Sequence, residues 1–184
     1  MFDIEKLIQV CNYLVKKTDF SLNYTKLIKL LYLADRESLR LSLQTITGDS
    51  YTSMDSGPVL SKLYDLIKGK GSEKNQNLWD SRFTKNGYDL VAMTDRIPQS
   101  ELSAFEIKIL DEIYEKFKDT DFNGMIKYCH NNCPEWKNPN GSSISIKPKE
   151  ILKSIGKSPE EIEWILAETQ AFEDEERAFL SLEN

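Results

Sequence analysis

Apolar residues recur at spacings of three and four along most of the chain, which is the pattern of helices that bury one face. In the first such stretch, Ile4, Leu7, Ile8, Cys11 and Leu14 fall on one face. The pattern predicts helices over residues 4–17, about 23–41, 57–67, 103–117, 121–129 and 148–155, and a last helix that begins at Ser158.

Several of these helices carry start signals. Ser103 and Glu106 form a capping box, Asp121 is a candidate cap, and Ser158-Pro159 with Glu161 combines proline in the first turn with a second box. Gly57-Pro58 is interpreted in the same way, as the sharp entry of the third helix, because proline suits the first helical position. The polar stretch 72–77 is expected to be a loop.

Residues 79–93 have the pattern of a β-hairpin. Asn86-Gly87 favours a type I′ turn, which would place Lys85 opposite Tyr88 and Phe83 opposite Leu90. Two strands alone are marginally stable, so the hairpin is expected to gain a third strand from residues 51–54 or to lie on a helix.

The predicted fold is mainly α (α+β), a compact helical domain of five to seven helices with a small antiparallel β-hairpin or sheet. The chain has 184 residues, 40% of them hydrophobic and 29% charged, which is typical of a globular protein. Strands and helices do not alternate, so no dinucleotide crevice and no cofactor is implied. No apolar run reaches the length of a membrane span and no secretory leader begins the sequence, so a cytoplasmic protein is expected.

Acidic charge is concentrated at one end of the chain. The net charge is −6, and residues 158–184 hold nine acidic side chains and one basic one. This acidity argues against a nucleic-acid partner. An acidic helix face is usually just solvated, but it also suits docking on a basic protein. The candidate partner-facing residues are Glu168, Glu173, Asp174, Glu175 and Glu176.

Histidine and cysteine are scarce. The single histidine, His130, excludes multi-histidine metal sites, and it is interpreted as a structural residue bonded to backbone. Cys129, His130 and Cys133, with Cys11, leave open a zinc site or a Cys–His enzyme. The simpler interpretation is three reduced thiols, with Cys11 on an apolar helix face, and therefore no catalytic and no metal-binding residue.

Asp35 shares a helix face with Ile28, Leu31 and Leu39, so burial of its carboxylate is expected. A buried carboxylate needs a partner. Arg36, Arg40 or a backbone N–H of the turn 47–49 can serve, and a structural ion pair is favoured over a catalytic role.

Three blocks of sequence together resemble the Panacea domain, the SocA-like domain of bacterial and phage antitoxins. They are KLLYLADRE at 29–37, ITGDSY at 46–51, and the stretch from Met54 to Leu66 that contains Gly57-Pro58. The resemblance covers roughly residues 4–138. It implies a domain over 1–140, followed by an acidic helical extension over 141–184 that packs on it.

The resemblance implies a non-enzymatic antitoxin that neutralises a co-encoded toxin by direct binding. The acidic C-terminal helix would suit a basic toxin. A second possibility within the family is an adaptor that delivers a bound protein to a AAA+ protease. The motif residues are expected to be structural, with a partner-binding role as the alternative. Asp35, Tyr51, Tyr64 and Asp65 in particular would join the second helix, the turn and the third helix. The motif residues are Asp35, Arg36, Gly48, Asp49, Tyr51, Gly57, Pro58, Tyr64, Asp65, His130 and Trp136.

Overall fold

The computed structural model describes residues 2–94 and 96–182, and the side chains of residues 173, 176, 177 and 179–182 lie outside that description. Within this part of the chain eight helices and two small antiparallel sheets form one core, which confirms the mainly α class with one helix more than expected. The helices are α1 (Ile4–Lys16), α2 (Tyr24–Ser42), α3 (Ser61–Ile67), α4 (Glu73–Asp80), α5 (Ala104–Phe117), α6 (Phe122–Asn132), α7 (Pro148–Ser154) and α8 (Pro159–Leu182). The strands are β1 (Ser21–Asn23), β2 (Tyr51–Met54), β3 (Gly57–Leu60), β4 (Phe83–Asn86), β5 (Asp89–Ala92) and β6 (Ile144–Ile146).

Helix α2 is the centre of the domain. Most of its residues are buried, and it contacts α1, α3, α5, α6 and α7 as well as β1 and β3. Asn23 caps its start by accepting hydrogen bonds from the backbone N–H groups of Thr25 and Lys26. A helix surrounded on all sides positions polar side chains in the interior, and such side chains need partners there.

The helix starts that were predicted from capping residues are confirmed for α5, α6 and α8. Ser103 and Glu106 form the complete capping box of α5, and Asp121 caps α6. At the start of α8, Ser158 and Glu161 exchange hydrogen bonds between side chain and backbone N–H. Each signal acts across three residues and therefore does not depend on the rest of the fold.

The prediction that the third helix begins at Gly57-Pro58 is wrong. Gly57 has a φ of +96° and lies in β3, so α3 begins only at Ser61. The strand order is β3-β2-β6, which makes β3 an edge strand, where proline is tolerated because its missing N–H breaks no pairing with a further strand. Residues 144–146, to which no element was assigned, add the third strand.

The hairpin exists and its strand β5 packs against helix α1, which was one of the two expectations. Its predicted register and a third strand from residues 51–54 are wrong. Asn86 pairs with Asp89, so the two loop residues are Gly87 and Tyr88, and Phe83 lies opposite Ala92. Positive φ at Gly87 alone fits a type II′ turn, which has glycine at its first central position. The additional strand is β1, which pairs with β5.

The expected loop at 72–77 is also wrong, because α4 occupies residues 73–80. This helix is mostly polar and is anchored by the buried Trp79. The ring centroids of Trp79 and Phe83 are 4.5 Å apart. A single aromatic anchor gives no apolar periodicity, so the sequence pattern could not reveal the helix.

The first turns of helix α8 pack on the domain. Ile165 is buried, and Ile162 and Leu166 pack against the core next to α7. From Ala167 onward every residue of α8 whose side chain is described is exposed. The described side chains of this second part of α8 are therefore accessible to solvent.

Candidate functional site

Asp35 is the centre of the first polar cluster. Its side chain accepts hydrogen bonds from the backbone N–H groups of Ile46 (2.8 Å) and Thr47 (2.9 Å) and from the hydroxyls of Thr47 and Tyr51. The predicted burial is confirmed, at 1% exposure, and the partner is the backbone of the following turn. The favoured ion pair is wrong, because Arg36 and Arg40 bind other carboxylates. Burial raises the pKa of Asp35 to about 6, although its donors favour the charged form.

Asp49 continues this cluster toward α3. Its carboxylate accepts hydrogen bonds from the backbone N–H groups of Lys62 and Leu63, both at 3.0 Å, and so caps the first turn of α3. Gly48 has a φ of +62°, which lets the chain turn between the two aspartates. The turn 46–51 is thus tied to α2 by Asp35 and to α3 by Asp49.

A second buried cluster contains a residue that the sequence analysis missed. Glu135 accepts hydrogen bonds from the Tyr32 hydroxyl (2.7 Å) and from Nε of Arg36 (3.0 Å), and its own side chain is completely buried. The guanidinium of Arg36 also reaches Ser154 in α7. The only sequence signal for Glu135 was its position next to the motif residue Trp136.

His130 and Trp136 hold the turn between β2 and β3. Their rings stack at 3.9 Å between centroids, and the Trp136 Nε1–H donates to the carbonyl of Met54. His130 is hydrogen-bonded to the backbone of Asp55, as expected for a structural histidine, but its Nε2 is buried without a partner. Burial and the nearby charge of Lys29 lower the pKa of His130.

Two motif residues lie on the surface of α3. Asp65 is exposed and does not join the three segments, which corrects the expectation for this residue. Tyr64 is half-buried, with the ammonium of Lys68 5.4 Å from its ring centroid. The role predicted for Asp65 belongs to Asp49 instead.

The three cysteines are buried. Cys129 and Cys133 are hydrogen-bonded to each other near the end of α6, whereas Cys11 lies in the apolar core of α1. Burial raises the pKa of Cys11, whereas the hydrogen bond with Cys129, together with burial, raises the pKa of Cys133. Residues 2–94 and 96–182 contain no group of three or more His, Cys, Asp or Glu side chains arranged to hold a metal ion.

A cavity of about 640 Å³ opens beside these clusters. It is bounded by the start of α2, the β2–β3 turn, α3, the hairpin tip, the start of α6 and the loop at 141–142. Its walls carry four aromatic rings, and its two cations are Lys29 and Lys68. The aromatic residues are Tyr24, Tyr64, Tyr88 and Phe122.

Lys29 is the unusual member of this cavity. The residue is 1% exposed, and its ammonium donates to the carbonyl of Pro58 at 2.6 Å, the one acceptor it has among the described residues. Burial lowers the pKa of Lys29 to about 8, and the thiols of Cys129 and Cys133 act in the opposite direction. Lys29 belongs to the first motif block, but the sequence pattern alone gave it no role.

The acidic residues proposed to face a partner belong to α8. Glu168, Asp174 and Glu175 are exposed, and the side chains of Glu173 and Glu176 lie outside the described residues. Two large apolar side chains share this helix, since Trp164 is 56% and Phe172 59% exposed. Together they form an acidic and aromatic surface, which we call the α8 surface: Trp164, Glu168, Phe172, Asp174 and Glu175.

The motif residues thus form two buried polar clusters next to a cavity lined by aromatic rings. The SocA-like antitoxin family, Panacea domain, matches residues 27–137, which is more than half of the chain. The chain belongs to this family. The match contains the Asp35 and Glu135 clusters and most of the cavity, and it ends before β6, α7 and α8.

No curated protein and no solved structure matches the chain at a significant level. Among the helices in the described residues, none combines the length and the apolar character that crossing a bilayer requires.

Proposed function

We propose that this protein is the antitoxin of a toxin–antitoxin system and neutralises a co-encoded toxin by direct binding. The observation that carries the proposal is the family match over residues 27–137. A domain of 1–140 followed by an extension over 141–184 fits this role, because the extension supplies a surface outside the matched region.

We assign the toxin contact to the α8 surface. Its charge favours a basic toxin, since complementary charges raise the association rate and exclude partners of the same sign. Aromatic side chains such as Trp164 and Phe172 are the residue types that contribute most at the centre of protein interfaces. The exposure of Trp164, Glu168 and Phe172 supports this assignment, because exposed side chains are accessible to a partner.

The decisive experiment is co-expression of this chain with the product of the neighbouring gene. We expect that product to arrest growth alone and growth to recover when this chain is present, with a stable complex on gel filtration. A neighbouring product that is harmless, or whose toxicity this chain does not change, would refute the proposal.

A matched pair of variants locates the contact. Glu168→Lys/Asp174→Lys/Glu175→Lys should lose rescue and complex formation, because it reverses the charge of the α8 surface. The control Asp65→Lys/Glu112→Lys/Asp119→Lys makes the same change in net charge at exposed positions on other parts of the fold. Equal loss of rescue in both variants would mean that only overall charge matters.

The fate of the toxin separates occlusion from delivery. With steric neutralisation, the toxin accumulates in complex with this chain. If the toxin is instead degraded in a way that requires both this chain and a AAA+ protease, the protein is a proteolytic adaptor. Zinc in stoichiometric amount, or an activity lost in His130→Ala, would point to the metal-dependent or enzymatic alternative.

A further inference from the structure

Lys29 carries a buried ammonium that pairs with no carboxylate among the described residues. An ammonium has three N–H donors, and in the part of the chain that the structure describes this one donates to a single acceptor, the carbonyl of Pro58. A buried charge is stable only when it is paired and hydrogen-bonded. The groups that act on it electrostatically are the thiols of Cys129 and Cys133, and neither is a carboxylate.

The cavity supplies the space for the missing partner, because Lys29 is one of its lining residues. The one carboxylate in the lining, that of Asp55, is exposed and accepts a hydrogen bond from the backbone N–H of Gly141. At the wall, Lys68 donates to the hydroxyl of Tyr24 at 3.0 Å. A volume of about 640 Å³ lies within the range of pockets that hold small ligands.

The walls define which anion fits. Tyr24, Tyr64, Tyr88 and Phe122 line the cavity, and such rings accommodate a flat or apolar group. A net charge of −6 disfavours polyanions such as nucleotides, since repulsion from the rest of the protein grows with ligand charge. A single carboxylate on an aromatic body satisfies both conditions.

We propose that this cavity binds a carboxylate attached to an aromatic or apolar group, with Lys29 as the residue that binds the anion. This inference goes beyond the toxin-binding role and does not depend on it. The carboxylate accepts a hydrogen bond from the Lys29 ammonium, and the aromatic body packs between the tyrosines. Two sources share this chemistry: the C-terminal residue of a polypeptide and a free small aromatic acid.

The test uses N-acetyl-phenylalanine and, as the matched ligand without the charge, N-acetyl-phenylalaninamide. Binding to the full chain is measured by NMR titration up to about 10 mM, a range that detects weak ligands. We expect the acid to bind at least about tenfold more tightly than the amide, the size expected for a charge-assisted hydrogen bond. The shifts should be centred on Tyr24 and Tyr88.

Two pairs of variants show where the ligand binds. Lys29→Met removes the ammonium at similar length and should abolish the preference for the acid, whereas Lys26→Met, on the same helix but outside the cavity, should retain it. Ser142→Trp should block the cavity, whereas Ser143→Trp should not, because Ser143 is exposed and does not line it. If Lys29→Met does not fold, the comparison of Ser142→Trp with Ser143→Trp shows whether the ligand binds in the cavity.

The source of the carboxylate follows from two further probes. Tighter binding of acetyl-Gly-Gly-Phe than of 3-phenylpropanoate supports the proposal with a polypeptide C-terminus as ligand, and the reverse supports it with a free acid. Equal binding of acid and amide would overturn the proposal. So would binding that folded Lys29→Met or Ser142→Trp retains, or the absence of any shift in the cavity at the highest concentration.

Discussion

The hydroxyl of Tyr51 donates a 2.9 Å hydrogen bond to the carboxylate of Asp35, and both side chains are buried. This contact joins β2 to α2 across a turn whose backbone N–H groups bind the same carboxylate. Asp35 therefore determines where the turn 46–51 lies. That turn positions Asp49 at the start of α3.

Asp35→Ala should destabilise the protein far more than it changes toxin binding by the folded protein. The substitution leaves two backbone N–H groups and two hydroxyls without their acceptor, and each such loss costs about 1–3 kcal/mol. We expect the free energy of unfolding in urea to fall by at least about 3 kcal/mol. Asp65 belongs to the same motif but is exposed, so Asp65→Ala should change the free energy of unfolding by no more than about 0.5 kcal/mol. An unchanged melting temperature together with lost toxin binding would make Asp35 a contact residue.

Asp35 should also make stability depend on pH in mildly acidic solution. Its pKa is raised from 3.8 to about 6, so between these values the folded protein binds a proton that the unfolded chain does not. The contribution of Asp35 to the free energy of unfolding is therefore largest at low pH, falls as pH rises through this window, and is constant above it. NMR titration of the Asp35 carboxyl carbon should give a midpoint near 6. A midpoint below 4 would mean that its donors outweigh burial.

Gly57→Ala should cost more stability than the substitution of another glycine with positive φ. At Gly57 the φ is +96°, and an added Cβ would lie 3.2 Å from Nζ of Lys29. At Gly141 the φ is +82° and an added Cβ has no neighbour within 4 Å. Gly141→Ala thus reports the backbone strain alone, about 1–2 kcal/mol. In thermal melts the melting temperature of Gly57→Ala should be clearly lower than that of Gly141→Ala. Equal melting temperatures would show that the close approach of Lys29 does not matter.

Arg36→Met should destabilise the fold by about 3 kcal/mol, because it leaves the buried carboxylate of Glu135 without its cation. The double variant Arg36→Met/Glu135→Met should lose less free energy of unfolding than Arg36→Met alone, because it contains no unpaired buried charge. Arg40→Met is the control, because the ion pair of Arg40 with Glu37 is solvated and such pairs contribute little. A double variant that is less stable than Arg36→Met would contradict the conclusion that the unpaired carboxylate of Glu135 causes the loss.

The features that the sequence by itself determined are those that act over three or four residues. The capping boxes at Ser103 and Ser158, the cap at Asp121 and the apolar stripe that buries Asp35 were all readable in advance. The family was recognised in the sequence from the residue types and spacing of three blocks, and the match over residues 27–137 confirms it.

Only the tertiary structure decided which distant groups meet. Gly57-Pro58 has the local pattern of a helix start, yet pairing with β2 makes it a strand. Glu135 and Lys29 look like ordinary surface residues in the sequence, but the helix that carries Lys29 is surrounded on all sides and Glu135 lies against it. Strand pairing and the burial of a charge depend on segments far apart in the chain, so no local pattern encodes them.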